Sequence, residues 1–321
     1  MSSQRESFYH SGPTHSDWNN QQFRRSVAAC LVERVYMLEL ARQSQCSQVH
    51  AAPLWLDFHF ILTKHLFDCH DKSIIGAVYA YNFSSPQSTP PAYVIAFRGN
   101  LIKLDTMFQD FKLDFSFLLN ILEQRSRFQE AWKAVQEMVD LSEANKPVNI
   151  WLAGHSLGAA IALLAGRNMF KKGYDLETYL FNPPFPSLPI ESSNNEKVGN
   201  AFHNTNKFIT AGFVLVRGHQ RTDQTNLFTA LFEWVPNIYV NPSDPICSGY
   251  IEYFKDRDKK TGKCLKKIQN LALQNSKIQN LPSANVHINR TPSGDFKQNH
   301  GIQQWWEPDL VLESRLHKWR T

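Results

Sequence analysis

Short apolar runs bounded by glycine, proline and asparagine alternate along this chain with longer stretches whose apolar residues recur at helical spacing. Val27 to Arg42 carries Leu31, Val35, Leu38, Leu40 and Ala41, which predicts a helix with one buried face. Ser73 to Phe83 (SIIGAVYAYNF) is a β-branched and aromatic run, and Pro86, Pro90 and Pro91 punctuate a turn after it. Ala92 to Phe97 predicts a second strand, leading into Arg98-Gly99-Asn100. Glu123 to Glu143 returns to helical spacing and ends at Asn145-Lys146-Pro147. A buried strand follows at Ile150 to Ala153, then an Ala- and Leu-rich helix from Ala159 to Ala165. Glu177 to Phe181 is a further strand, closed by Asn182-Pro183-Pro184. Trp234 to Val240 gives one more, followed by Asn241-Pro242-Ser243-Asp244-Pro245.

Strands alternating with helices predict the α/β class, a mostly parallel sheet with helices on both faces. Ligands of such sheets bind beyond the carboxyl ends of the strands. Ser156, Asn100 and Asp244 each follow a predicted strand, so three polar groups converge on one edge. Residues 1–24 are polar and read as a flexible tail, leaving 25–321 as a single domain. There is no internal repeat.

Between the Ile150 strand and the Ala159 helix lies Gly154-His155-Ser156-Leu157-Gly158, a G-x-S-x-G. A chain turning directly from strand to helix there holds the serine in a strained conformation. Side chains at the two glycine positions would collide with neighbouring elements. The bend exposes Ser156 Oγ and aims the Leu157 N–H at the same space. That N–H sits at a helix N-terminus, whose partial positive charge favours an oxyanion.

At 321 residues, 42% hydrophobic and 12% aromatic, the chain can bury a large core. Its net charge of +5 is too mild for a nucleic-acid binder and allows at most peripheral contact with anionic membranes. No stretch approaches the ~18 uncharged apolar residues of a membrane span. The polar start lacks an apolar signal core. Five widely spaced cysteines without a C-x-x-C suit a reducing compartment, so the expected location is cytoplasmic. Lys255 to Lys267 (KDRDKKTGKCLKK) reads as a solvated loop balanced by Asp256 and Asp258.

Phe97-Arg98-Gly99, the Gly-His-Ser-Leu-Gly bend and Asn241-Pro242-Ser243-Asp244-Pro245, in this order, resemble the class 3 (fungal-type) lipases. Phe181-Asn182-Pro183-Pro184-Phe185 and a C-terminal His-Gly-x-x-Gln-Trp-Trp are similar to their plant branch of small intracellular α/β-hydrolases. The resemblance covers roughly residues 25 to 310. Some relatives carry a GDSL-type esterase label, but the nearest string here, Ser293-Gly294-Asp295-Phe296, has another order and position.

The resemblance implies hydrolysis of acyl or lipid esters, with Ser156 as nucleophile, Asp244 as acid and a C-terminal histidine as base. The chemistry asks for the same parts. A serine hydroxyl needs an imidazole to take its proton, and a buried carboxylate must fix that imidazole's tautomer. Of twelve histidines, His287, His300 and His317 follow Asp244. His300 sits at a loop-to-helix junction and matches the family's His before the Trp-Trp pair; His287 is its rival, and His317 is expected on a polar terminal helix. His155 points away from the Ser156 hydroxyl and reads as structural. The family's second oxyanion donor is a Ser or Thr after Phe-Arg-Gly; here it is Asn100, whose amide can still donate. Leu101 to Leu122 occupies the position of a lid in fungal relatives, though its phenylalanines also suit a packed core. No metal or organic cofactor is implied. His59, His65 and His70 lack a tight ligand spacing. A ligand-binding scaffold of the same fold and an acyltransferase are the alternatives to a hydrolase.

Overall fold

A computed structural model describes residues 18–44, 58–82, 89–99, 122–143, 149–185, 231–259, 281–307 and 310–319. Among these residues eight strands form one sheet in chain order: β1 (Phe60–Phe67), β2 (Ile74–Tyr81), β3 (Tyr93–Phe97), β4 (Ile150–His155), β5 (Glu177–Phe181), β6 (Asn237–Val240), β7 (Ala284–Asn289) and β8 (Leu312–His317). The central strands β3 to β7 run parallel, while β1, β2 and β8 add antiparallel pairings at the two ends. Among the described residues the helices are α1 (Gln21–Ser44), α2 (Leu122–Glu143), α3 (Leu157–Lys171), α4 (Gly249–Lys259) and α5 (Phe296–His300), with a 3-10 turn at Ile302–Trp306.

β3 (YVIAF) and the first four residues of β4 (IWLA) are apolar at every position because both faces of the sheet are covered there. Ile150 and Leu152 of β4 enter a core shared with Ala131 and Val135 of α2 and Ile161 of α3. Trp151 and Ala153 point the other way, into a core with Val27, Leu31 and Val35 of α1 and with Trp305. Ile95 and Phe97 of β3 divide from Val94 and Ala96 in the same manner, as the two-residue period of a strand requires. The mostly parallel sheet with helices on both faces is therefore the expected α/β architecture.

Some expectations need correcting. α1 starts at Gln21 and Trp18 is buried, so the boundary drawn after residue 24 falls inside the first turn of a docked helix. Trp18 is held by edge-on contacts with Phe60, Tyr81 and Trp151, which the polar composition around it conceals. The first part of the Lys255–Lys267 segment is helical, in α4, where the apolar ring of Phe254 is buried beneath the charges. His317 ends strand β8 rather than lying on a helix, because β8 pairs along β7 from Leu312 to His317. No described helix is long and apolar enough to cross a membrane. The Leu101–Leu122 segment lies outside the described residues except for Leu122, the first residue of α2.

Candidate active site

The bend after β4 has the backbone that its sequence demands. Ser156 takes φ 54° and ψ −125°, a sparsely populated conformation for a residue with a side chain. Its N–H donates to the Phe181 carbonyl at 3.0 Å, and its carbonyl accepts from the Ala159 N–H at 2.9 Å. The glycines are sterically required. A Cβ on Gly154 would lie 2.2 Å from the Gly158 carbonyl oxygen, and one on Gly158 would lie 2.3 Å from that of Phe97. Leu157 is the first residue of α3, so its N–H stands outside the i to i−4 ladder and remains available to an anion. Ser156 itself is half-buried among fully buried neighbours.

Two further strands bring a carboxylate and an imidazole to the same edge. Asp244 lies in the turn after β6, and His300 closes α5 after β7. The His300 Nδ1–H donates to Asp244 Oδ2 at 2.9 Å, and both side chains are buried. A carboxylate only accepts, so in the neutral form of this imidazole the second nitrogen, Nε2, carries the lone pair. The His300 ring lies 4.9 Å from that of His155, the residue beside Ser156, and stacks on Phe296.

The Asp244 carboxylate is saturated with donors. Oδ2 also receives the Asn182 amide at 2.5 Å and the Cys247 thiol at 3.3 Å, while Oδ1 receives the Ile246 N–H at 3.0 Å. Burial acts to raise its pKa, but the hydrogen bonds from His300, Asn182 and Ile246 outweigh it and hold the carboxyl below the usual aspartate value. Asn182 follows β5 with φ 44° and is wholly buried. Its amide also donates to the Asn299 carbonyl at 3.1 Å and accepts the Trp305 indole N–H at 2.5 Å. A second amide cluster fixes the loop around His300. Asn241 donates to Asn299 Oδ1 at 3.1 Å and to Gln304 Oε1 at 2.7 Å, and Gln304 donates to the Asn299 carbonyl at 2.6 Å.

The two other histidines that follow Asp244 are engaged elsewhere. His287 stacks on Tyr239 in the sheet and bonds to Ser314 Oγ at 2.7 Å. His317 bonds to Asp258 at 2.7 Å. His155 is buried, with its Nε2 2.7 Å from the His300 carbonyl. Arg98 of the Phe-Arg-Gly string is also buried. It donates to the Ile74 carbonyl at 2.5 Å and to the Gly99 carbonyl at 2.6 Å, with Glu39 of α1 nearby. Asn100 lies outside the described residues. One group of metal-ligand types gathers among the described residues, Asp68, Cys69 and His70, with donor atoms within 4.8 Å of one another. Asp68 is committed there to Arg127 Nε at 2.6 Å and to the His70 N–H at 2.9 Å, which makes the group a braced β1–β2 turn.

Asn182, Cys247 and Gln304 were not singled out for a role by the sequence. Asn182 could have been, by the rule that marked Ser156 and Asp244: it too stands just past a strand of the parallel sheet. Cys247 and Gln304 carry no comparable signal, since a lone Cys or Gln in a loop has many uses.

A parallel sheet with a serine bend of this geometry after a central strand defines an α/β-hydrolase. The sequence model of the Lipase (class 3) family matches residues 93–185, which span β3 to the end of the Asn182-Pro183-Pro184-Phe185 turn. A curated Arabidopsis thaliana protein named GDSL esterase/lipase is 34% identical over 352 aligned positions, covering 100% of both chains. The chain belongs to the class 3 lipase-like family of ester hydrolases. Two fungal structures are also similar: a lipase–propeptide complex from Rhizomucor miehei and a lipase from Rhizopus microsporus var. chinensis, each at 15% identity and TM-score 0.42 over 70% of this chain. The match takes in 61% of the Rhizomucor chain, less than two thirds, and 68% of the Rhizopus chain.

Proposed function

We propose that the protein hydrolyses carboxylic acyl esters, lipids among them, through a covalent acyl-enzyme on Ser156. The observation that carries this reading is the buried His300 Nδ1–Asp244 Oδ2 bond, which leaves His300 Nε2 as the basic nitrogen beside the serine bend. In the first half-reaction His300 Nε2 takes the Ser156 proton as Oγ attacks the ester carbonyl. Asp244 stabilises the imidazolium that forms, and its own low pKa keeps it ionised while doing so. The carbonyl oxygen becomes an oxyanion and is met by the Leu157 N–H and by Asn100, through its amide or backbone. His300 then returns the proton to the leaving alcohol as the carbonyl reforms. In the second half-reaction water attacks the acyl-serine with His300 again as base, releasing the carboxylic acid and the free hydroxyl.

The test is Ser156→Ala assayed on short acyl esters against the wild type. Loss of a triad member of this kind lowers kcat by roughly 10⁴–10⁶. A variant that stays folded and keeps more than about a tenth of wild-type activity would sink the nucleophile assignment, since the expected loss is far larger.

A further inference from the structure

Tyr36 lies on α1, far in sequence from every motif named above, yet its hydroxyl reaches the centre of the site. It is 2.7 Å from the Gly99 backbone nitrogen and 2.8 Å from His155 Nδ1. The proton positions in this chain follow from chemistry. The His300 carbonyl can only accept, so the His155 Nε2 facing it at 2.7 Å must carry the hydrogen. His155 is neutral: burial first, then the neighbouring His300, pushes its pKa down to about 3. A neutral ring protonated on Nε2 has a lone pair on Nδ1, so the Tyr36 hydroxyl donates to it. Burial raises the phenol's pKa and keeps that proton in place. The phenolic oxygen is then free to accept the Gly99 N–H.

One hydroxyl therefore links three segments: the end of β3 at Gly99, the serine bend at His155, and, through the His155 ring, the loop that bears His300. Gly99 is packed between the groups it connects. A Cβ there would lie 2.8 Å from the Tyr36 hydroxyl and 2.9 Å from the Ser156 Cβ. Its carbonyl is gripped from the other side by Arg98. Both polar groups of the residue preceding Asn100 are thus held, one by Tyr36 and one by Arg98.

We propose that Tyr36 is a positioning residue for ester hydrolysis: with His155 it fixes the spacing between the Gly99 backbone, the serine bend and the backbone of His300. The inference rests on the hydrolase reading given above. It explains why an asparagine can replace the family's hydroxyl residue after Phe-Arg-Gly: the backbone before it is held independently of that side chain. It also gives His155 a task that neither nucleophile nor base performs.

The test is Tyr36→Phe, which keeps the ring and removes only the donor and acceptor. A misplaced Gly99 backbone and serine bend, with the Leu157 N–H that follows it, weakens transition-state stabilisation more than ground-state binding, so kcat should fall roughly 10- to 100-fold with KM within about threefold. Melting temperature should drop by several degrees without loss of folding, as expected when two hydrogen bonds are removed and the ring is kept. Two readouts follow the link itself. The Gly99 amide should exchange with deuterium at least about tenfold faster, and the ¹⁵N resonance of His155 Nδ1 should move away from that of a hydrogen-bonded acceptor. An active wild type whose Tyr36→Phe variant keeps kcat within about twofold overturns the positioning role alone. A kcat loss with unchanged Gly99 exchange and an unchanged His155 signal overturns it as well. A wild type inert on every acyl ester overturns the hydrolase reading, and the positioning role with it.

Discussion

Ser156 and His300 both follow strands at the carboxyl edge of the sheet, but backbone sterics place the first and side-chain amides place the second. On the serine side, Gly154 and Gly158 leave room for nothing larger than hydrogen, and Ser156 takes a left-handed φ between them. On the His300 side, Asn182, Asn241, Asn299 and Gln304 hold a loop and a one-turn helix by a network of buried and part-buried hydrogen bonds. The difference teaches how each half can fail. The bend tolerates no change of shape, whereas the network loses function by degrees as single donors are removed.

Gly158→Ala should break the bend and produce the largest effect on folding. Its Cβ meets the Phe97 backbone, which sits in a fully paired central strand and cannot yield cheaply. A destabilisation of about 4 kcal/mol or more is expected, read as a fall in melting temperature of roughly 10 °C or failure to fold. A well-folded variant with an unchanged melting temperature would show that the bend relaxes.

Asn182→Gly probes the network without disturbing the backbone, because glycine accepts the positive φ of this residue. It removes a donor to Asp244 and leaves the buried Trp305 N–H without an acceptor, while the Asn299 carbonyl keeps the Gln304 amide. Stability should fall by roughly 2–3 kcal/mol, from the unsatisfied indole and the lost donor to the buried carboxylate. The Asp244 pKa should rise towards its ordinary value, and kcat should fall by roughly tenfold as His300 loses its orientation, far less than for loss of a triad member. Equal losses for Asn182→Gly and Asp244→Asn would erase the graded behaviour.

The effect expected to touch hydrolysis least is a dependence of stability on pH. Burial holds His155 near 3 and His287 near 4, helped by the nearby His300 in the first case and by Arg25 in the second. The sign follows from linkage. Below about pH 6.5 the unfolded chain protonates these histidines while the folded chain does not, so unfolding takes up protons. Stability contributed by the two neutral rings is full above about pH 6.5 and declines as the pH falls towards 4, at roughly 1 kcal/mol per pH unit for each. Urea denaturation between pH 8 and pH 5 measures it. His287→Gln should remove about half of that slope and leave hydrolysis at pH 8 intact.

The same contrast decides what could be read from the sequence. The strands from Ser73 to Val240 were legible because buried parallel strands are short apolar runs with clear breakers, and Glu177–Phe181 ended where expected. The serine bend was legible because steric exclusion writes glycine at fixed positions. β1, β7 and β8 were not, since each mixes polar and apolar residues: β1 reads FILTKHLF and has only two fully buried positions. Trp18 and the first turn of α1 were hidden in a polar stretch. The Asp244 and His300 pairing was accessible through strand ends and chain order, but Asn182 and Tyr36 were not assigned roles. Their contacts span 62 and 63 residues of sequence, to Asp244 and Gly99 respectively, with no local pattern to mark them.

Labelling with a fluorophosphonate probe, followed by peptide mapping of the adduct, tests the central claim most directly. The probe forms a covalent phosphonyl-serine only where a hydroxyl is activated by a base and faced by oxyanion donors. The account predicts one adduct, on Ser156, absent from Ser156→Ala and formed at least about a hundredfold more slowly in His300→Gln. An adduct on another residue, equal labelling of the Ser156→Ala protein, or a wild type that takes up no probe would contradict it.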